Sequence, residues 1–256
     1  MNNQKKKTIY KMKSTLILTT TLFLTTLFLY YKPPLSQNVN LRASNSNPWD
    51  IYDYYFFALQ WGASMCAKTG KSCYEKLKSV PRHEVTIHGL WPSLLKGKNL
   101  PACNSGAEIS IIDDDRMKEV RTYWPSLNGN ANTVFWGHEY NKHGYCYNKR
   151  LGFPEDDYHY YFDKAMELFK SKKLNRLIIN AIGDREGIQK ISYNDLYAGI
   201  KKVLGGDYFQ ITCSNVSKKQ YLAEIRIGFN LNFEFTKITK GTGCSNKKDI
   251  IIEFVE

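Results

Sequence analysis

The stretch that decides how this chain folds and what it can do runs from residue 135 to residue 146. It reads Phe135-Trp136-Gly137-His138-Glu139-Tyr140-Asn141-Lys142-His143-Gly144-Tyr145-Cys146. As a helix it places His138 beside Lys142 and Glu139 beside His143, because residues four apart share a face. Gly144 is expected to end the helix. The stretch therefore predicts two imidazoles, a carboxylate and an ammonium group in one small volume.

Three interpretations of this cluster remain open. Histidine and glutamate bind zinc, but the metalloprotease motif H-E-x-x-H has its histidines four apart, whereas His138 and His143 are five apart with Lys142 between them. The default for such a segment is a solvated helix face on which acidic and basic side chains pair. The third is acid–base chemistry on an anion, with Lys142 holding the negative charge that develops. This chemistry requires a partner group elsewhere in the chain.

His88 is the candidate for that partner. Apolar and polar residues alternate over 85–93, which predicts a strand that carries His88 near its end. Trp91 would offer a flat face for stacking a base. Taken alone, such a histidine is more often structural and such a tryptophan more often belongs to the core. An aromatic-rich strand is predicted at 50–61, with Gln60 near its end.

The remaining pattern predicts an α+β fold: an antiparallel β-sheet core packed against several helices, in a single domain stapled by disulfides. Apolar periodicity of 3.6 predicts helices, and a period of two later in the chain predicts strands. The predicted helices span 113–123, 155–172, 174–182 and 193–204, and the predicted later strands span 208–213, 221–230, 231–236 and 250–255.

The N-terminal 36 residues are typical of a secretory signal and its lead-in. Lysines precede an uncharged Leu- and Thr-rich run at 14–31, followed by Pro33-Pro34. No clear cleavage site is visible, and an uncleaved anchor is the alternative. Residues 37–256 are expected to form one catalytic domain, secreted to the extracellular space or sorted to the vacuole. The signal segment is the sole membrane contact expected.

The net charge and the cysteines narrow the class of protein further. The formal charge is +12, and six lysines with no acidic residue precede Ser36, so the rest of the chain stays basic. A basic surface favours a polyanionic partner such as nucleic acid. Six cysteines lie after the signal, which predicts three disulfides in a secreted chain but leaves the pairing open. Asn215-Val216-Ser217 is the one N-x-S/T sequon and predicts a glycan at Asn215.

With both histidine segments in view, the chain resembles the ribonuclease T2 family. Thr86-Ile87-His88-Gly89-Leu90-Trp91-Pro92 looks like its first active-site segment, and 135–146 looks like its second. The resemblance runs from about residue 54 to 255 and is greatest to the plant S-RNase and S-like group. Two departures stand out. Gly62 replaces a proline, and a C-terminal cysteine expected near Gly228 is absent together with its partner.

The resemblance implies a set of site residues. His143 would be the general base and His88 the general acid, while Glu139 and Lys142 would stabilise the transition state. The implied substrate-binding residues are His138 for phosphate, Trp91 and Ser93 at the first base site, and Gln60, Ser126 and Phe135 at the second. The implied disulfides are Cys66–Cys73, Cys103–Cys146 and Cys213–Cys244. No metal and no cofactor are implied.

The function implied by the resemblance is metal-independent cleavage of single-stranded RNA to 2′,3′-cyclic phosphate ends, followed by slow hydrolysis to 3′-phosphates. DNA is excluded as a substrate because it has no 2′-hydroxyl. A monomer is expected. Two alternatives remain: a catalytically silent relative that binds, stores or recognises RNA, and a secreted zinc hydrolase. The biological role would be self-incompatibility, or the defence or phosphate recycling of an S-like enzyme.

Overall fold

The computed structural model describes residues 52–78, 80, 85–95, 103, 109–183, 187–238, 243–245 and 247–254. The predicted signal segment and lead-in, residues 1–36, lie outside the described residues. Within the described ranges, no helix combines the length and apolar character needed to cross a bilayer.

A six-stranded sheet forms the centre of the fold. Strand β1 lies between β2 and β5, and the order β2-β1-β5-β6-β3 is extended by β4, which also pairs with β5. The strands are β1 (Tyr54–Gln60), β2 (Thr86–Ser93), β3 (Ile188–Ile191), β4 (Phe209–Val216), β5 (Lys219–Phe229) and β6 (Ile250–Glu253). The α+β prediction is confirmed.

The sheet is mixed, not purely antiparallel as predicted. Strands β5 and β6 pair in parallel, whereas the other paired strands run antiparallel. A parallel pair needs a connection long enough to carry the chain back to its starting end. The segment 230–249 supplies that length between the two strands.

The helices cover the sheet and supply the second half of the core. They are α1 (Gly62–Thr69), α2 (Lys71–Leu77), α3 (Lys118–Tyr123), α4 (Asn132–Glu139), α5 (Tyr145–Leu151), α6 (His159–Ser171), α7 (Leu174–Ile182) and α8 (Tyr193–Leu204), with a 3-10 turn at Asp115–Met117. Helix α6 buries Tyr161, Phe162, Ala165, Leu168 and Phe169, the face that its periodicity predicts.

The predicted strand at 231–236 is wrong. Two backbone N–H groups of this segment donate to the side-chain oxygen of Asn230, and Phe233 adopts a positive φ of 61°. A single bridge between Phe229 and Phe235 is what remains of strand pairing. The alternating apolar residues pack on the core from a turn instead. Strand β3 and the two helices α1 and α2 were not predicted, since each is short.

The expectation that Gly144 ends its helix is also wrong. Helix α4 continues through a π-helical turn, Tyr140–Gly144, directly into α5. Gly144 has helical φ and ψ of −66° and −31°. A Cβ there would lie 2.5 Å from the Tyr140 ring and 2.7 Å from the Tyr161 ring, both of which are fully buried. Glycine is therefore required for close packing of this helix against α6, not for a turn.

Gly228 shows what replaces the cysteine expected nearby. A Cβ at Gly228 would lie 2.1 Å from a methyl carbon of Ile238 and 2.7 Å from the carbonyl oxygen of Thr236. The Ile238 side chain thus fills the space beside this position, and its residue is only 9% exposed. Apolar packing holds the 230–238 segment against β5 at this point.

Three disulfides join Cys66 to Cys73, Cys103 to Cys146 and Cys213 to Cys244, the pairs that the resemblance implies. The first links α1 to α2, and the third links β4 to the segment before β6. The second joins the loop that carries Cys103 to α5.

The packing of Gly144 gives a stability prediction. Gly144→Ala should lower the free energy of unfolding by about 1–3 kcal/mol, because a methyl group is forced against two buried rings. Gly137→Ala is the matched control in α4: its Cβ would meet only a carbonyl oxygen at 3.9 Å. That variant should be neutral or gain up to about 1 kcal/mol of helix propensity. Urea unfolding measures both, and equal midpoints for the two variants would contradict this account.

Candidate active site

Strand β2 and helix α4 meet at a close approach centred on Gly89. The Trp91 indole N–H donates to Oε2 of Glu139 over 2.8 Å. A Cβ at Gly89 would lie 2.1 Å from the Trp91 indole nitrogen and 2.3 Å from that same carboxylate oxygen. Only glycine at position 89 leaves room for this hydrogen bond, which joins the first motif to the second.

Two buried indoles fix the distance between the strand and the helix. The Trp136 N–H, on α4, donates to the carbonyl oxygen of Trp124 over 2.8 Å. The Trp124 N–H donates to the carbonyl oxygen of His88 over 2.7 Å. Both tryptophans are fully buried. The backbone of His88 is therefore tied to α4 through two hydrogen bonds in series.

The outer edge of β2 is held by helix α6. The Tyr161 hydroxyl donates to the carbonyl oxygen of Leu90 over 3.1 Å and accepts from its N–H over 3.2 Å. Tyr161 has no exposed surface. One side chain thus satisfies both backbone groups that the edge strand turns away from β1, as buried backbone groups require.

The π-helical turn is pinned on its outer side. The Asn141 side chain accepts from the N–H of Ile109 over 2.9 Å and donates to the carbonyl oxygen of the same residue over 3.0 Å. The carbonyl oxygen of Lys142 accepts from the N–H of Cys103 over 3.4 Å, and Cys103 is also bonded to Cys146. The segment that carries Lys142 and His143 is therefore held by a disulfide and by paired hydrogen bonds.

The His88 side chain is partly buried between two carboxylates and two aromatic rings. Its Nδ1 is hydrogen-bonded to Oε1 of Glu224, and its Nε2 lies 3.6 Å from Oε1 of Glu139. Its ring meets Trp91 edge-on at 4.9 Å between centroids and Phe135 at 5.7 Å. Burial lowers the pKa of His88, but the hydrogen bond to Glu224 and the two carboxylate charges outweigh it, so the pKa is raised above its ordinary value.

His143 has the opposite electrostatic environment. Its ring lies over Trp91, with centroids 5.5 Å apart and planes tilted by 32°. Burial, followed by the positive charges of Lys142, His138 and His88, lowers the pKa of His143 to about 3. At neutral pH the imidazole of His143 is therefore uncharged. The two histidines contact the same indole and are driven to opposite charge states.

Glu139 is the buried member of the cluster, with 2% of its surface exposed. Burial raises its pKa to about 7, although His88, the bond from Trp91 and Lys142 act in the other direction. His138 and Lys142 are exposed, and both lie close enough to His143 to lower its pKa. The predicted cluster is thus divided: Glu139 and His143 face Trp91, and the other two side chains face solvent.

The implied base-site residues differ in how they are placed. Phe135 contacts the His88 ring, and the Ser93 hydroxyl donates to the carbonyl oxygen of Trp91 over 3.0 Å. Gln60 and Ser126 are almost completely buried. The Ser126 hydroxyl donates to Oδ1 of Asn128, and within the described chain Oε1 of Gln60 accepts no hydrogen bond. Phe135 therefore lies against His88 and Ser93 against the backbone of Trp91, whereas Gln60 and Ser126 lie beneath the surface.

Sequence reasoning missed two residues that touch the site, Glu224 and Arg226. Both project from the same face of β5, two residues apart. Arg226 donates to Oε2 of Glu224 from Nε over 2.8 Å, and a terminal nitrogen of its guanidinium lies 2.7 Å from the same oxygen as an ion pair. Its guanidinium carbon lies 5.1 Å from the centre of the Trp91 ring. Two charged residues within the mainly apolar stretch 221–229 of β5 were the available signal.

A metal site requires several histidine, cysteine or acidic side chains that converge on one point. Among the described residues, no group of three or more histidine, cysteine, aspartate or glutamate side chains is arranged to hold an ion. The five-residue spacing places His138 on the solvent side, while His143 faces Trp91.

Comparison with known proteins now gives the family. Residues 52–248 match the model of the "Ribonuclease T2 family". The chain is 31% identical to "Ribonuclease S-7" of Nicotiana alata over 218 residues, which cover 78% of this chain and 90% of that protein. It is 30% identical to "Ribonuclease 3" of Arabidopsis thaliana over 157 residues, covering 60% of this chain and 68% of that protein.

A solved structure shares the fold. The self-incompatibility-associated SF11-RNase of Nicotiana alata superposes with a TM-score of 0.61 at 22% identity, over 79% of this chain and 99% of that one. This likeness concerns the fold alone, while the family model and the sequence relatives carry the assignment. The chain therefore belongs to the ribonuclease T2 family, within the S-RNase and S-like RNase group, and is an endoribonuclease.

Proposed function

We propose that this endoribonuclease cleaves single-stranded RNA by metal-independent transphosphorylation, with His143 as general base and His88 as general acid. The observation that supports it most directly is the pair of imidazoles on Trp91 whose pKa values are shifted in opposite directions. Groups whose environments drive their pKa values apart are suited to opposite roles in proton transfer.

RNA supplies the nucleophile, so the protein needs no covalent intermediate. The uncharged imidazole of His143 takes the proton of the ribose 2′-hydroxyl, and the 2′-oxygen attacks the adjacent phosphorus. His88, protonated at Nε2, gives its proton to the departing 5′-oxygen as the P–O5′ bond breaks. The products are a 2′,3′-cyclic phosphate and a free 5′-hydroxyl, and slow hydrolysis then yields the 3′-phosphate. DNA lacks the attacking hydroxyl and is not cleaved.

The charge that builds on phosphorus is met by the remaining members of the cluster. Lys142 is exposed next to His143 in the chain, and its ammonium group stabilises the charge that the phosphoryl oxygens gain. Glu139, 3.6 Å from Nε2 of His88, stabilises the transition state through that imidazolium, whose positive charge it favours beside the phosphate. His138, exposed on the solvent side, binds a phosphate of the substrate.

Base contacts follow from the rings at the site. Trp91 is partly exposed and stacks on the base 5′ of the cut, with Ser93 at the strand end beside it. Phe135 borders the second base site next to His88. Gln60 and Ser126 act from below by supporting the walls of that second site, since both are buried. The enzyme acts as a monomer on RNA.

Removal of either histidine tests the reaction. His88→Ala and His143→Ala should each lower kcat/KM by about 10²–10⁴-fold, because each deletes one proton-transfer group. His159→Ala is the control. This histidine lies at the start of α6 and pairs with Asp114 and Asp157, not with residues of the candidate site. The substrate is a DNA oligomer with one ribonucleotide, in excess EDTA, and the readout is cyclic-phosphate ends at that position.

Three outcomes would contradict the proposed reaction. Loss of wild-type cleavage in EDTA would favour the zinc hydrolase. A folded wild-type protein that binds but does not cut RNA would favour the silent recognition or storage protein. Unchanged cleavage by His143→Ala would show that His143 is not the general base.

The pH dependence gives a second test. Activity requires His143 unprotonated and His88 protonated. The pKa of His143 is lowered to about 3, so the acid limb of kcat/KM should lie below the ordinary histidine range. The pKa of His88 is raised, so the alkaline limb should lie above that range. A broad bell is therefore expected. A narrow bell with both limbs close to pH ~6.5, the unperturbed histidine value, would contradict these environments.

The chain reaches the extracellular space or the vacuole through the secretory pathway. This part of the proposal is supported by the basic and apolar N-terminal segment and by three disulfides, which are typical of oxidising compartments. Asn215 is exposed at the end of β4 and carries a glycan there. Treatment of the secreted protein with a glycosidase should reduce its mass, and Asn215→Gln should abolish that change.

The biological role is assigned to self-incompatibility, on the basis of the excess of lysine and arginine and the likeness to Ribonuclease S-7. Expression restricted to the style together with high allelic diversity would support it. Expression in roots or leaves without such diversity would instead assign the role of an S-like enzyme in defence or phosphate recycling.

A further inference from the structure

Glu224 and Arg226 of β5 form a charged pair at the edge of the active site that the reaction described above does not use. We propose that Glu224, held in place by Arg226, is a positioning residue for His88: it fixes the imidazole with its proton on Nδ1 and aims Nε2 at the substrate. This inference rests on the proposed role of His88 as general acid.

The register of the sheet explains how β5 reaches a side chain of β2. Strand β1 separates the two, and Ala58 lies opposite both Gly89 on one side and Arg226 on the other. Ala58 is fully buried and has the smallest side chain after glycine. Gln60 lies opposite Glu224, and His88 stands at the irregularity where the β1–β2 register shifts between Ala58 and Leu59. The small side chain of Ala58 on β1 thus leaves space for a contact between side chains of β2 and β5.

Glu224 has one oxygen for each partner. Oε1 accepts the bond from Nδ1 of His88, and Oε2 accepts a hydrogen bond from Nε of Arg226 and forms an ion pair with a terminal nitrogen of the same guanidinium. Such charge-assisted bonds to two different groups hold a carboxylate in a single orientation. Burial raises the pKa of Glu224, but His88 and Arg226 outweigh it, so the pKa is lowered and the carboxylate stays ionised.

An ionised acceptor on Nδ1 decides which nitrogen can exchange its proton. Nδ1 must donate to Glu224, so the neutral form of His88 carries its proton on that atom. The second proton of the imidazolium then sits on Nε2, which faces Glu139 at 3.6 Å. It is this proton that moves to the departing 5′-oxygen, and the Nδ1 proton stays in place. A second group that orients an imidazole in this way is typical of acid–base sites.

The charged groups around His88 come from three directions. Glu139 faces it from α4, Glu224 and Arg226 face it from β5, and His143 lies on the far side of the shared indole. Glu139 and Glu224 raise the pKa of His88, and Arg226 lowers it. Of the two carboxylates, Glu224 is the one whose own pKa is lowered, so its charge persists when Glu139 becomes protonated.

Arg226 links this pair to the substrate side. Its guanidinium lies against the Trp91 ring while two of its nitrogens bind Glu224. Trp91 in turn donates to Glu139, which faces Nε2 of His88. A closed ring of contacts therefore surrounds the imidazole, and a displacement of Glu224 would be felt at both of its nitrogens.

The test compares Glu224→Gln and Glu224→Ala with Glu75→Gln, which removes an exposed carboxylate on α2. An amide has no charge and places an acceptor at only one of the two positions that Oε1 and Oε2 occupy, so it cannot reproduce both contacts in the same geometry. In Glu224→Gln, NMR titration of the free protein should show the pKa of His88 lowered by about one unit or more, and the alkaline limb of kcat/KM should move to lower pH by the same amount. In Glu224→Ala, kcat should fall about 10–100-fold with little change in KM, since the acid is misplaced.

The outcomes separate this inference from the proposed reaction. Imidazole nitrogen shifts that show Nδ1 protonated in neutral wild-type His88, and not in Glu224→Ala, support the inference. An alkaline limb and a His88 pKa that match those of Glu75→Gln in both Glu224 variants would overturn it. The NMR measurements are made on free protein without RNA. They therefore report on Glu224 even if His88→Ala were to retain activity, which is the result that would overturn the proposed reaction.

Discussion

The separation between strand β2 and helix α4 is the constraint on which the site depends, and two indole hydrogen bonds in series set it. Trp136 reaches Trp124, and Trp124 reaches the carbonyl oxygen of His88. Both indoles are fully buried, so breaking either bond would leave a buried N–H unsatisfied at a cost of about 1–3 kcal/mol. Because the tie acts on the backbone of His88, the side chain remains available for its contacts with Glu139 and Glu224.

A second feature follows from this fixed spacing: neighbouring charges shift the pKa values of the two histidines in opposite directions. His88 is reached by two carboxylates, whereas the charged groups near His143 are cationic. Trp91 is the common wall, and its N–H binds the buried Glu139. Fixed charges and a water-poor wall act without reorganising during the reaction, which is the condition under which electrostatic effects on a transition state are largest.

Sequence patterns predicted the part of the site that local spacing carries. Two short segments gave His88, Glu139 and His143, and the structure brings them together around Trp91. The patterns could not predict that the helix continues past Gly144, because the Tyr161 ring of α6 that requires glycine there is brought close by tertiary packing. Glu224 was missed for a related reason: its contact with His88 depends on the register of β1 with β5.

Because β1 pairs with β5, the surroundings of His88 are completed only when the residues of β5 have been synthesised. Strand β5, which carries Glu224, completes the flank of β1 only when the C-terminal part of the protein is present. Contacts between residues so distant in sequence form slowly, since loop closure must precede them. A chain that has not yet been extended to β5 therefore lacks the carboxylate that contacts His88. An enzyme that cuts RNA thus completes the surroundings of this histidine only after the residues of β5 have been added.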